Sequence, residues 1–234
     1  MRKTPLPEEY TREYYLNACE GFREFQMGEL SPRHRIVLKY LNVKPGERVL
    51  DIGCGRGELV RESERLGAYA VGIDYSPAAI KLSRDSGATI AANATYLPFT
   101  DATFDKVALI DVVEHLDQHD FNACLMEISR VLKTGGILLI ETPNRLRRLI
   151  RWWDRLVFQP QLLTLLSPDL AYYLRTMHVN EQSPFSLRRT LSQNGFRCKI
   201  RFWFPEIAGL PFWKTIGYRL FFFSGPMLFL AWQK

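Results

Sequence analysis

At 234 residues the chain is long enough for one well-buried domain with additions and too short for two full domains, and its 47% hydrophobic and 24% charged content is that of a soluble globular protein. The four cysteines (Cys19, Cys54, Cys124, Cys198) lie far apart without CxxC pairing, which argues against a zinc site or a disulfide framework and for a reduced, cytoplasmic setting. The start, Met1-Arg2-Lys3-Thr4-Pro5, is polar and lacks an apolar export core, and the net charge of +6 is modest enough that its placement says more than its size.

Residues 1–35 are charged and aromatic, with Tyr10, Tyr14, Tyr15, Phe22 and Phe25 at partly helical spacing; they read as N-terminal helices outside the main sheet. Pro45-Gly46 then punctuates the entry to a first strand over 49–52. In the helix that follows, Leu59, Val60, Ser63 and Leu66 are placed to face the sheet, with Gly67 as the left-handed stop. A second strand over 69–73 closes on Asp74, and Ser76-Pro77 supplies an N-cap and a first-turn proline for a helix towards Ser86.

A weak third strand over 89–92 precedes a loop through Leu97-Pro98-Phe99, and a fourth strand spans 104–110. Phe121, Leu125, Ile128 and Leu132 lie at helical spacing, and Gly135-Gly136 turns the chain into a fifth strand over 137–141. Beyond Pro143 the rhythm lapses. Residues 145–177 carry amphipathic Arg, Trp and Leu clusters and read as an inserted helical segment. A short helix over 186–194, a strand over 196–204 and an antiparallel C-terminal strand over 227–233 follow. Alternation at this rhythm implies right-handed crossovers and a parallel sheet covered on both faces. The expected fold is therefore α/β, Rossmann-like and doubly wound, with a mostly parallel seven-stranded sheet. The apolar run over 220–232 is too short to span a bilayer and contains Gly225-Pro226.

Chemistry concentrates at Val49-Leu50-Asp51-Ile52-Gly53-Cys54-Gly55-Arg56-Gly57-Glu58, a strand, a glycine turn and a helix start. Glycines there remove Cβ atoms and allow positive φ, so backbone N–H groups can approach a ligand. The dinucleotide fingerprint GxGxxG needs a small residue where Glu58 stands, and no GxxxxGK[ST] is present, so a ligand without pyrophosphate is favoured. Asp74 ends the second strand where a carboxylate can accept both hydroxyls of a ribose; the plainer reading is an acid stabilised by a helix dipole.

The blocks VLDIGCGRGE, GIDYS, ANATYLPF, DVVEHL and LKTGGILLIETPN, in that order over about 49–144, resemble a class I S-adenosylmethionine-dependent methyltransferase, of the branch that includes the ubiquinone-biosynthesis O-methyltransferases. The resemblance implies that Gly53, Cys54, Gly55 and Gly57 wrap the methionine part of the cofactor, with Asp51 near its ammonium end. It assigns the ribose to Asp74 and the adenine to Tyr75 and Asn93-Ala94. Most members of the family carry Asp at position 93, so Asn would accept from the adenine amine without charge. Asp111 and Val112 would lie along the methionine and the transferring methyl.

Glu114-His115 at the pocket mouth reads either as a substrate-facing pair, with His115 shuttling a proton, or as a pair that shapes its loop. His178, after the insertion, is a candidate base with packing or capping as the alternative. No His, Asp or Glu cluster has metal-ligand spacing. On this reading residues 1–234 form a single domain: an N-terminal helical cap (1–44), a cofactor-binding core (45–144), a helical insertion or substrate cover (145–185) and the C-terminal part of the sheet (186–234).

The implied activity is methyl transfer from S-adenosylmethionine to a small-molecule acceptor, an oxygen nucleophile on an amphiphilic or aromatic compound. Arg145, Arg147, Arg148, Arg151 and Arg155, interleaved with Trp152, Trp153 and Phe158, suggest peripheral contact with an anionic membrane through 145–177 and 205–226, against the plain reading of a solvated helix face. Two alternatives stand beside this: an RNA or other nucleic-acid methyltransferase, disfavoured because Thr142-Pro143-Asn144 replaces a DPPY-like tetrapeptide, and a non-catalytic cofactor-binding protein.

Overall fold

The computed structural model describes residues 3–146, 176–203 and 226–233. Seven strands, β1 (Arg48–Ile52), β2 (Tyr69–Asp74), β3 (Ala88–Ala91), β4 (Phe104–Ile110), β5 (Leu132–Thr142), β6 (Phe196–Phe202) and β7 (Met227–Gln233), form one sheet in the order β3-β2-β1-β4-β5-β7-β6. Neighbours from β3 to β5 pair in parallel, while β7 is antiparallel to both β5 and β6. Six strands therefore share one direction and β7 alone opposes them. The C-terminal strand lies inside the sheet, not at its edge, and its apolar sequence suits that place: Met227, Leu228, Phe229 and Ala231 are buried.

The α-helices among the described residues are α1 (Phe22–Gln26), α2 (Pro32–Leu41), α3 (Glu58–Arg65), α4 (Pro77–Leu82), α5 (Gln118–Val131) and α6 (Pro184–Gln193). Local chemistry sets their starts. Ser31, Ser76, Asp117 and Ser183 each accept a backbone N–H from the first turn. One face of the sheet packs Leu50, Ile52, Leu109, Leu138 and Phe229 against Phe121, Leu125 and Ile128 of α5 and Leu187 and Leu191 of α6. The other buries Val49, Ala108, Leu139 and Leu228 under Val37 and Leu41 of α2 and Leu59 and Val60 of α3.

Four expectations are corrected. Leu66 is 47% exposed, because α3 ends at Arg65 before another turn brings that side chain to the sheet. The helix after Ser76 stops at Leu82: Ser83 donates its hydroxyl to the Ile80 carbonyl and Thr89, competing with helical continuation. Strand β6 ends at Phe202. Residues 3–31 form only short pieces, a 3-10 turn (Pro7–Glu9), a π-helical turn (Tyr14–Ala18) and α1, before α2 begins. Pro5, Pro7 and the left-handed Gly21 and Gly28 break the pattern that aromatic spacing suggested. The insertion over 145–177 lies almost wholly outside the described residues, as does the stretch 205–226 apart from Pro226.

The strand order reverses between β1 and β4, with β2 on one side and β4 on the other. In an open parallel sheet that switch point is where loops from strand carboxyl ends diverge and leave a crevice.

Candidate functional site

A cavity of about 340 Å³ opens at the carboxyl ends of β1, β2 and β4, within the range of small-molecule sites. The turn after β1 forms its floor. The Gly53 and Cys54 amides both donate to the Ile73 carbonyl of β2, pinning the turn to the neighbouring strand. Gly53 has φ of +74°, and a Cβ there would overlap the Val112 side chain. Gly57 has φ of +81° and a Cβ there would lie 2.6 Å from that of Ser86. A side chain at Gly53 would crowd the cradle, whereas Gly57 does not line the cavity and a side chain there would press the loop against Ser86 and Ser83.

Asp74 ends β2 and is nearly buried, at 6% exposure. One oxygen accepts the Gly55 amide at 3.0 Å, and the other accepts the Ser76 amide at 2.9 Å and the Tyr15 hydroxyl at 3.5 Å. Burial pushes its carboxyl up to about 6, against the pull of those donors. Asp51 is pushed further, to about 8, first by burial and then by the charges of Glu58 and Asp74. Glu58 itself is buried and bonded to Arg56 at 2.7 Å, so its charge is answered within the loop.

Asp111 follows β4 with φ of +52°, a left-handed conformation uncommon for a residue with a side chain. Its amide donates to the Glu141 carbonyl, and its carboxylate pairs with Arg33. Val112 closes over Gly53, and Tyr75 and Ala94 also line the cavity. Asn93 lines it too, but its side-chain oxygen already accepts the Thr95 amide and hydroxyl at 2.9 and 3.0 Å. The free acceptor expected there is thus engaged in an Asx turn.

Glu114 is fully buried and its oxygen accepts the Thr142 hydroxyl at 2.9 Å. Its backbone carbonyl accepts the amides of Val179 and Asn180, which draws His178 beside His115, ring centroids 5.1 Å apart at 88°. His178 faces Glu181, with Nδ1 3.4 Å from the carboxylate. Burial holds His115 down at about 4, helped by His178 and opposed by Glu114 and the Met177 backbone, so it is neutral at physiological pH. Glu114, His115 and His178 offer ligand atoms within 4.8 Å of one another. Glu114 and His115 are neighbours in the chain and His178 joins them only through the fold, so linear spacing does not disclose the group. A second trio, Asp117, His119 and Asp120, sits at the start of α5, where Asp117 caps the helix.

The expected N-terminal cap leaves two contributions without a signal in the sequence: which of its side chains reach the cavity, and a cation supplied by α2. The N-terminal segment closes one wall: Tyr10, Tyr14 and Tyr15 line the cavity. It is laced down by Tyr75 to the Pro5 carbonyl at 2.6 Å, by Ser76 to the Tyr10 carbonyl at 2.9 Å, and by Arg56 to the carbonyls of Tyr15 and Glu20. The Arg56 guanidinium also lies over the Phe22 and Phe25 rings. The second is Arg33 of α2, a cation in the wall that meets Asp111 and Glu20. Helical spacing cannot signal either, because both are set by packing across the chain.

The chain matches the family described as a methyltransferase domain over residues 50–140. It is 33% identical over 148 residues to a demethylmenaquinone methyltransferase of Tropheryma whipplei (strain Twist), covering 59% of this chain and 61% of that protein. The match thus spans about three-fifths of that relative's length. It is 34% identical over 180 residues to a ubiquinone biosynthesis O-methyltransferase of Bradyrhizobium sp. (strain ORS 278), covering 67% and 70%. Among solved structures, an Archaeoglobus fulgidus SAM dependent methyltransferase superposes with a TM-score of 0.62 at 23% identity, covering 91% of this chain and 98% of that one. At that identity the likeness bears on the fold alone.

Proposed function

We propose, for a chain that belongs to the class I S-adenosylmethionine-dependent methyltransferases, that it methylates a small-molecule, quinone-related acceptor at a ring hydroxyl. The observation that carries the cofactor is the layout of one cavity: the Asp74 carboxylate at a strand end beside a glycine cradle, with an acid, Asp51, and a cation, Arg33, in its lining; the quinone-related acceptor is supported by the similarity to a ubiquinone biosynthesis O-methyltransferase. A nucleoside bearing a zwitterionic amino acid needs those three features. Asp74 would accept from the ribose hydroxyls, Asp51 would meet the ammonium and Arg33 the carboxylate. Gly53, Cys54, Gly55 and Gly57 would wrap the methionine chain, Tyr75, Asn93 and Ala94 would meet the adenine, and Asp111 and Val112 would flank the methyl.

S-adenosylmethionine, when bound, supplies an electrophilic methyl, so the chain's own work is alignment, water exclusion and proton handling. A phenolic hydroxyl becomes a better nucleophile as its proton leaves. His115, neutral and buried, and His178, adjoining it, would accept that proton, with Glu114 orienting the pair. The N-terminal tyrosines would keep water from the reacting centre. Residues 145–177 and 205–226 would cover an amphiphilic acceptor and touch an anionic membrane surface, and no helix among the described residues is long and apolar enough to cross one.

The test is release of S-adenosylhomocysteine on incubation with hydroxylated quinone precursors, non-hydroxylated analogues and unmodified RNA. Release with the hydroxylated set alone is expected. Release with RNA alone, or with none at full cofactor binding, would overturn the acceptor assignment. Flotation with neutral and anionic vesicles tests the membrane contact, and equal recovery on both would sink it.

A further inference from the structure

A carboxylate stands behind the site without lining it. Glu141, next to last in β5, is fully buried, and strand alternation puts its side chain on the same face as Leu139, in the layer with Leu228 and Trp203. One oxygen accepts the Trp203 indole N–H at 3.3 Å. The other lies 3.7 Å from Nε of Arg33, and neither of those two atoms has a hydrogen-bond partner among the described residues. A buried carboxylate is unfavourable unless paired, and an apolar residue would suit this layer better. Its place there therefore points to the cation it faces.

Arg33 is held from three sides. One Nη meets Asp111, the other meets Glu20 at 2.7 Å, and Nε faces Glu141. Asp111 and Glu20 line the cavity and would be rearranged by an arriving anion, whereas Glu141 lies behind it. A guanidinium is a planar fork, so fixing Nε from behind aims both Nη atoms forward.

We propose that Glu141 is a positioning residue that holds the Arg33 fork towards the carboxylate end of the methyl donor, making the cavity selective for nucleosides that carry an intact amino-acid end. This rests on the methyl-donor reading above. Glu141 touches no substrate; it acts through Arg33, with Trp203 fixing its second oxygen.

Two probes separate the parts: S-adenosylhomocysteine, which has the amino-acid end, and 5′-methylthioadenosine, which lacks it, both titrated by calorimetry into the full chain. The wild-type protein should prefer the first. Glu141→Gln keeps the shape and removes the charge. It should weaken S-adenosylhomocysteine about tenfold, the scale of a lost charged hydrogen bond, while leaving methylthioadenosine within about twofold by the same reasoning. Unchanged affinity for both, or an equal loss of both, would overturn the proposal, the latter being what general destabilisation produces. If Glu141→Gln does not fold, Trp203→Phe frees one carboxylate oxygen and reads the same discrimination: a narrowed preference supports the proposal and an unchanged one overturns it. A wild-type protein that binds neither nucleoside would overturn the methyl-donor reading itself, an outcome distinct from a variant that leaves wild-type preference intact.

Discussion

His115 and His178 meet edge to face at 5.1 Å because the backbone carbonyl of Glu114 accepts the amides of the two residues after His178. If the pair handles the acceptor's proton, His115→Ala and His178→Ala should each lower turnover by about 10² or more. S-adenosylhomocysteine affinity should stay unchanged. Proton NMR should show His115 titrating near 4, since burial holds it there. A midpoint near 6.5 would refute that environment. Because the unfolded chain binds this proton more readily, its contribution to stability is present above about pH 6.5 and is lost as pH falls towards 4.

Asp74 holds the Gly55 and Ser76 amides as well as its proposed ribose role. Asp74→Ala should therefore reduce nucleoside affinity at least about 100-fold and lower stability by about 1–3 kcal/mol, the scale of stranded buried donors. Calorimetry and urea unfolding give the two numbers separately. Affinity that survives the substitution would remove Asp74 from the binding role.

Cofactor affinity should depend on pH through Asp51. Its carboxyl, pushed up to about 8 by burial and then by Glu58 and Asp74, must ionise to meet an ammonium. Binding should therefore weaken as pH falls below about 8, by up to about tenfold per unit. Asp51→Asn should abolish that slope. A slope identical in the variant would assign the dependence to another group.

Two glycines with similar backbones should respond differently to alanine. Gly28 has φ of +71° and open space where a Cβ would go, so Gly28→Ala should lose only about 1–2 kcal/mol of backbone preference. Gly53 combines φ of +74° with the Val112 side chain in the way. Gly53→Ala should lower stability more and impair nucleoside binding. Equal melting shifts with binding retained would mean the cradle is more yielding than its geometry implies.

Arg56→Ala should loosen the N-terminal wall. The guanidinium bonds the carbonyls of Tyr15 and Glu20, and its removal leaves Glu58 buried without its cation. Loss of a buried ion-pair partner is worth about 3–5 kcal/mol. Hydrogen exchange should speed up over residues 10–30 before the sheet responds, and nucleoside release should quicken. Protection unchanged in that stretch would show that the tyrosines hold themselves in place.

Sequence by itself determined what depends on near neighbours. The strand–glycine–helix turn at 49–58, Asp74 at the end of β2 and the alternation of strands with helices are legible because backbone sterics and side-chain period act over a few residues. The tertiary structure decided what depends on distant pairing. It put β7 between β5 and β6, laid Tyr10, Tyr14 and Tyr15 over the cavity, aimed Arg33 into it from α2 with Glu141 behind, and brought His178 to His115. None of these leaves a local pattern, because a buried charge or ring is positioned by partners that only the folded chain brings within reach.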